Sequence, residues 1–278
     1  MLKINNIEVE KKRFPNGELH IEINEDLYNS IIDLDRVVYM LKYEDESDLI
    51  LLMLCKKKLD SELNKKSILR IAYMPYSRMD RVKNRSDVFT LKYICEFINN
   101  LKFTEVYVSE AHSDVTLALL DNVKHINVTE GLFRRYFKDY SKDDIVLCFP
   151  DSGAQKRYAI PGYRSIVGFK ERDWETGKIK SLKLTGDDVS GKTVIIMDDL
   201  CSFGGTFKLA ADELKKLGAA KIILIVAHCE ENIFKGDLLT KKSHISSVFT
   251  TNSILANKDL EWFNGKELFI DDIFSFLI

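Results

Sequence analysis

The sequence predicts an α/β fold built on mostly parallel sheets, and three observations predict it. Short apolar runs rich in Val and Ile recur along the chain, they are near-continuous in hydrophobicity, and helical patterns lie between several of them. Near-continuous runs suit strands buried on both faces, as in a parallel sheet. Strand–helix alternation then implies α/β layers.

The predicted strands follow in order: "RVVYML" (36–41), "ILRIAYM" (68–74), "EVYVSEA" (105–111), "IVLCFP" (145–150), "SIVGF" (165–169), "TVIIMDD" (193–199) and "IILIVAH" (222–228). A helix is predicted over 86–101, "SDVFTLKYICEFINNL", with Asp87 as its cap. Another starts near Thr206 in "GTFKLAADELKKLG", where Phe207, Ala210, Leu214 and Leu217 share a face and Gly218 closes the helix. The chain has only four prolines and no Gly/Ser-rich linker. The domain boundary is placed in the polar, helix-prone segment 128–144, before the strand at Ile145, giving domains 1–130 and 131–261.

Composition removes several function classes. A net charge of −2, with no acidic or basic tail, offers no electrostatic footprint for nucleic acid or a membrane surface. The start, "MLKINNIEVEKKRF", has no apolar signal core, and the longest apolar stretch, "LILLMLC", is too short to cross a bilayer. The five cysteines form no CxxC pair, and four of them sit in apolar runs. That reads as reduced thiols in a cytoplasmic protein, without a zinc site.

Two stretches compete to bind phosphate. Gly186–Thr193 fits the P-loop spacing G-x-x-x-x-G-K-[ST], but it leads into a strand and opens no helix, so it is expected to be a polar turn. The second stretch, "DDLCSFGGT" (198–206), has the right surroundings: a buried strand ending in two acids, a short loop, then a helix. Gly204 and Gly205 allow close backbone approach, the helix start favours an anion, and Ser202 and Thr206 add hydroxyls. Asp198 and Asp199 would repel a phosphate in the same spot. They make sense if one ligand presents hydroxyls to the acids and a phosphate to the loop, as a sugar phosphate does.

These residues resemble the phosphoribosyl pyrophosphate (PRPP) motif of the type I phosphoribosyltransferase fold. Further segments resemble the ribose-phosphate pyrophosphokinases, in that family's order: "RFPNGELHIEI" (13–23), "IAYMPYSRMDR" (71–81), "VSEAHSDVTLALLD" (108–121), "CFPDSGAQKRYA" (148–159), "GFKERD" (168–173) and "VAHCEENIFKGD" (226–237). The resemblance implies two phosphoribosyltransferase-type domains, with the C-terminal segment 262–278 packing back on the first. It implies transfer of pyrophosphate from ATP to ribose 5-phosphate with magnesium, in a dimer or hexamer. By position, Asp198 and Asp199 would hold the ribose hydroxyls, and Ser202, Phe203, Gly204, Gly205 and Thr206 would cradle the 5-phosphate. Arg78, Met79, Asp80 and His112 would meet ATP. Phe14, Asn16 and Glu18 would recognise adenine from a neighbouring subunit. His112 and Asp151 would lie by the metal. Lys170 and Arg172, in a polar lid loop, would meet the transferring group.

The chain also departs from that pattern. Ser202 stands where the family loop has a third Asp, Phe203 where it has Thr, Asn16 for an Asp and Met79 for a Gln. Losing a hydroxyl and gaining an aromatic face at Phe203 opens a second acceptor class, a ribose with a substituted 5-phosphate such as ADP-ribose. A PRPP-consuming transferase and an inactive regulatory homologue are the remaining alternatives. Cys201, inside the loop, is expected to make the site sensitive to thiol reagents.

Overall fold

A computed structural model describes residues 1–172, 179–255 and 266–277. The chain forms two compact units, Met1–Ile126 with Ile273–Ile278, and Asn127–Asp272.

The first unit contains β1 (Leu2–Ile4), β2 (Ile7–Glu8), β3 (Lys12–Arg13), β4 (Leu19–His20), α1 (Glu25–Ile32), β5 (Arg36–Leu41), α2 (Ser47–Glu62), β6 (Lys66–Ile71), α3 (Thr90–Asn100), β7 (Glu105–Ser109), α4 (Asp114–Leu119) and β8 (Val123–Ile126). The main sheet has the order β2-β1-β5-β6-β7-β8, and β3 and β4 pair apart from it. β5, β6, β7 and β8 run parallel, and β1 is antiparallel to β5. Val37, Tyr39, Leu69, Ile71, Val106 and Val108 bury into one cluster with Leu52 and Leu59 of α2 and Leu91 and Ile98 of α3. Each fully buried aliphatic side chain contributes about 1.5–3 kcal/mol, so this cluster is what holds the unit.

The second unit contains α5 (Val128–Phe137), β9 (Ile145–Phe149), α6 (Ser152–Tyr158), β10 (Arg164–Arg172), β11 (Ile179–Gly186), β12 (Thr193–Cys201), α7 (Gly205–Lys216), β13 (Lys221–Cys229), β14 (Ser247–Thr251) and β15 (Glu267–Asp271). Its sheet order is β11-β10-β9-β12-β13-β14-β15. Within this sheet, only the β10–β11 pairing is antiparallel among the described strands. From β9 the chain first builds outward to β10, then returns to place β12 on the other side of β9. That reversal makes the carboxyl ends of β9 and β12 a topological switch point, where open α/β sheets bind ligands.

Local structure differs from expectation at several places. Asp87 does not cap α3, whose N-cap is Phe89 without a side-chain bond. The Asp87 carboxylate instead accepts from the backbone of Lys83 and Asn84, both at 2.9 Å, because the same short acid serves a turn as readily as a helix start. Phe207, Ala210 and Leu214 are buried, whereas Leu217 is 47% exposed, since α7 ends at Lys216 and the chain turns at Gly218 with φ of +90°. β12 does not stop at the acid pair but runs on to Cys201, held there by parallel pairing with β13. Residues 170–181 are not a loop throughout: β10 extends to Arg172 and β11 begins at Ile179, paired across a register shift at Glu171 and Arg172. Residues 173–178 of the expected lid lie outside the described residues, as do 256–265.

Among the described residues no helix is long and apolar enough to cross a membrane.

Candidate functional site

The two glycine-rich stretches part company in the structure. Gly186 ends β11, and a methyl group on it would lie 2.4 Å from the Ser165 carbonyl oxygen. The Lys192 amide closes a turn on Val189, the Gly191 amide donates to Gly218, and Thr193 begins β12. The P-loop spacing is therefore a sheet-edge turn whose glycine answers to a neighbouring strand.

At the switch point, the geometry is that of an anion cradle beside carboxylates. α7 starts at Gly205 with Gly204 as its N-cap, at φ +78° and with no side-chain cap bond. The first-turn amides of α7 thus receive no acceptor from their own cap, and the helix dipole points positive into the loop. Gly204 is demanded by the fold: its left-handed φ is costly for other residues, and a methyl group would sit 2.8 Å from Leu238. Gly205 is different, because it has ordinary φ and a methyl group there would meet nothing within 4 Å. The fold leaves that space open beside the amides, which suits a ligand that comes close to the backbone.

This contrast predicts separable mutants. Gly204→Ala should lower stability by about 1–3 kcal/mol through backbone strain and the Leu238 contact. Gly205→Ala should melt within a few degrees of the native protein, yet lose at least about tenfold in affinity for a sugar phosphate. Thermal melts and calorimetric titration separate the two effects.

The acids sit next to this loop. Asp199 is only 8% exposed, and its amide donates to the Asp198 carboxylate at 3.0 Å. Although part of Asp198 reaches solvent, its carboxyl group is enclosed. Burial first, then the charges of Asp199 and Asp151, push its pKa well above the usual carboxylate range. Asp151 comes from the end of β9, where it caps α6 by accepting from the Ala154 amide at 3.1 Å. Three carboxylates are thus crowded where β9 and β12 end, an arrangement that hydroxyl donors or a cation would relieve.

The loop also holds what the sequence did not announce. Ser202 Oγ donates to Glu230 Oε2 at 2.5 Å, and Asn232 Nδ2 donates to the same carboxylate oxygen at 3.1 Å. The hydroxyl expected for a phosphate is therefore engaged by a carboxylate. Phe203 is 54% exposed, and its carbonyl oxygen lies so near Gly236 that a methyl group there would approach to 2.2 Å. Cys201 corrects another expectation. It is fully buried beside Cys229, and that thiol together with burial raises its pKa well above the ordinary value, which makes it a poor nucleophile.

In the first unit, His112 is half-buried in the turn between β7 and α4. Beneath it, Glu110 is buried with φ of +40°, and His125 accepts from the Ala111 amide at 3.1 Å while facing Glu110 at 3.9 Å. Left-handed backbone at a buried acid is stored strain, and such strain gathers at functional turns. Tyr76, after β6, is likewise at φ +59°. Asp80 is buried, bound by Arg81 Nε at 2.8 Å, and the Arg81 guanidinium holds its carboxyl low with His112 adding to the effect. Arg78 and Met79 are exposed beside it.

Phe14, Asn16 and Glu18 form the tip of the β3–β4 hairpin. The Gly17 amide donates to Phe14, the Phe14 amide to Glu18, and Asn16 Nδ2 to Glu18 Oε2 at 2.7 Å. Phe14 is 49% exposed and stacks on His20 with centroids 4.8 Å apart. Lys170 and Arg172 lie on β10 with Leu182 and Ile179 as their backbone partners, and their side chains lie outside the described residues.

Comparison with known proteins agrees with this picture. The family model of the phosphoribosyl transferase domain matches residues 101–263. The ribose-phosphate pyrophosphokinase of Pyrococcus abyssi is 30% identical over 256 residues, covering 90% of this chain and 85% of the relative. That of Thermococcus kodakarensis is 29% identical over 254 residues, covering 89% and 86%. The crystal structure of phosphoribosylpyrophosphate synthetase from Mycobacterium smegmatis shares the fold, with a TM-score of 0.70 at 20% identity over 97% of this chain and 87% of that one. A loop of open helix-start amides beside a crowded acid pair, carried on a chain alike to these enzymes over most of its length, places it in one family: this chain belongs to the ribose-phosphate pyrophosphokinases and carries their phosphoribosyl transferase domain.

Proposed function

We propose that the chain transfers the β,γ-pyrophosphoryl group of ATP to the anomeric hydroxyl of ribose 5-phosphate, giving PRPP and AMP. The observation that carries this reading is the pairing of Asp198 and Asp199 with the uncapped amides of α7 at one sheet edge. Ribose hydroxyls donate to the acids and relieve their repulsion, while the phosphate accepts from the amides. The hydroxyl oxygen at C1 bonds the β-phosphorus and loses its proton, and the bond from that phosphorus to the α,β-bridging oxygen breaks. Such transfers depend on positioning and on neutralised charge more than on covalent help.

ATP is assigned to Arg78, Met79, Asp80 and His112. Its adenine is assigned to the hairpin tip of Phe14, Asn16 and Glu18, offered to a neighbouring copy of the chain. An aromatic ring left half exposed and braced by His20 suits a base-stacking role. Lys170 and Arg172 meet the charge that develops on the transferring group.

The donor set fits magnesium. Among the described residues no group of three or more His, Cys, Asp or Glu is placed to hold a metal ion by itself. Magnesium is commonly held by one or two carboxylates together with substrate phosphates, so Asp151, and in the other unit His112, would take that part. When bound, magnesium would supply positive charge that offsets the charge of the phosphates. Its substrates and its five buried free thiols suit a cytoplasmic enzyme.

The test is AMP formation by purified protein given ATP and magnesium, with and without ribose 5-phosphate. AMP and PRPP should appear together, and only with the sugar. PRPP consumption without ATP, or no reaction at all, would replace this reading with a transferase or a silent homologue.

A further inference from the structure

We propose that the first unit carries a binding site for a small organic carboxylate with an apolar body, centred on Arg70 in a cavity of about 270 Å³. None of the residues assigned to ATP or to the sugar phosphate lines this cavity.

The site follows from how β5 and β6 are placed. Side chains alternate along a strand, so Leu69 and Ile71 join the core cluster while Arg70 faces the opposite side of the sheet. Arg70 stands directly across from Met40 of β5 in the parallel register, and Val38 lies on the same face, two residues back. β1 turns into β2 through Asn5 and Asn6, at φ of +46° and +69°, the left-handed pair that a tight two-residue hairpin turn requires. Asn5 ties that turn to its neighbours. Its side chain accepts from the Val38 amide at 2.9 Å and donates to the Ser30 carbonyl at 3.1 Å. Asn5, Asn6, Ser30, Val38 and Met40 thus line a fixed cavity, and Leu34 completes its apolar wall. Among the described residues, Arg70 is the one charged side chain lining it.

Arg70 brings a charge that the fold does not pair. Among the described residues its buried Nε meets no acceptor, and no carboxylate forms an ion pair with its guanidinium. Burial draws its pKa below the ordinary value, Tyr107 works against that, and the Arg36 guanidinium adds to it. Arginine keeps its proton in proteins, so the charge stays. A buried donor left unsatisfied and a charge drawn out of water both cost stability. An oxyanion entering the cavity relieves both.

Two features choose the anion. A guanidinium presents a planar fork that one carboxylate satisfies with two parallel hydrogen bonds. A phosphate dianion calls for further cations or amides, and Arg36, although near enough to act on Arg70, does not line the cavity. Val38, Met40 and Leu34 favour a hydrocarbon body over a small hydrated ion. A cavity of roughly 150 Å³ suffices for a benzene ring, so this one has room for a ring and a carboxylate.

Benzoate is the probe, with benzamide as its neutral shape match and inorganic phosphate as an anion without an apolar body, all at equal ionic strength. In calorimetry on the full chain, benzoate should bind at one site per chain with Kd of about 1 mM or below. It should bind at least about tenfold more tightly than benzamide or phosphate. Arg70→Gln should weaken benzoate at least about tenfold and leave benzamide unchanged. Arg70→Met removes the unpaired charge and keeps a long side chain, so the ligand-free variant should melt higher than the native protein. Benzoate should raise the melting temperature of the native protein and not that of Arg70→Met. Sedimentation should find the two in the same state of association. Benzamide or phosphate binding as tightly as benzoate, unchanged benzoate binding in Arg70→Gln, or a lower melting temperature of ligand-free Arg70→Met overturns the proposal. So does a change of association in Arg70→Met, which would make the partner of the guanidinium an acid of a second copy.

Discussion

Asp198→Asn should make the ligand-free protein more heat-stable and the enzyme nearly inactive. The enclosed Asp198 carboxyl has its pKa raised by burial and by Asp199 and Asp151. The folded protein therefore holds this proton more tightly than the unfolded chain, whose Asp titrates near about 3.9. Above that value the unfolded state binds fewer protons than the folded state, so stability falls as pH rises toward the raised folded pKa. Near neutral pH, above the unfolded value, the native protein carries this cost. Asn removes the charge, and its carbonyl oxygen still accepts from the Asp199 amide, the bond that spans 3.0 Å in the native protein. A gain of about 1 kcal/mol, or roughly 2–4 °C in Tm, is expected for a chain of this size. Over the pH range above the ordinary carboxylate value, the variant's melting temperature should also vary less. Activity moves the other way, because a neutral amide is a weaker acceptor for ribose hydroxyls than a carboxylate. A loss of about 100-fold or more in kcat/KM is expected. If Asp198→Asn melts lower and still turns over within tenfold of native, neither the repulsion nor the hydroxyl grip is real.

Lys170→Ala and Arg172→Ala should each cost about 100-fold or more in kcat with melting unchanged. Their backbone positions are secured by the pairing of β10 with β11 rather than by any cation, so the hairpin survives either change. Charge on the transferring group grows most in the transition state, so kcat should fall more than KM rises. The double variant should lose less than the product of the two single losses if both cations serve one group. Arg172→Lys should recover part of the rate, because charge is retained while the forked geometry is not. A rise in KM with kcat intact would make these residues binding groups only.

Legibility differed by the range of the interaction involved. The strands at 36–41, 145–149 and 221–229 could be read because burial on both faces demands uninterrupted apolar residues. The rejection of the P-loop spacing also needed only local order, a turn before a strand instead of a strand before a helix. Asp87 misled because a capping acid and a turn-forming acid are the same side chain, and here it reaches back to amides three and four residues away. Leu217 misled because helical periodicity says nothing of where the helix stops. Glu230 was invisible to both kinds of reading. Its partner Ser202 is 28 residues away, and only the parallel pairing of β12 with β13 brings Cys201 opposite Cys229 and so Ser202 near Glu230. Glu110 and His125 met in the same way, across β7 and β8.

By itself the sequence determined the α/β layering, the strand-loop-helix that presents two acids before a glycine pair, and the kinship that names the chemistry, because each rests on neighbours along the chain. Only the tertiary structure decided how those acids feel one another, that Gly205 opens onto empty space while Gly204 is pinned by Leu238, and that a distant carboxylate accepts the hydrogen bond of the Ser202 hydroxyl. Proton affinity, space and charge pairing depend on distances between atoms that the chain brings together only by folding.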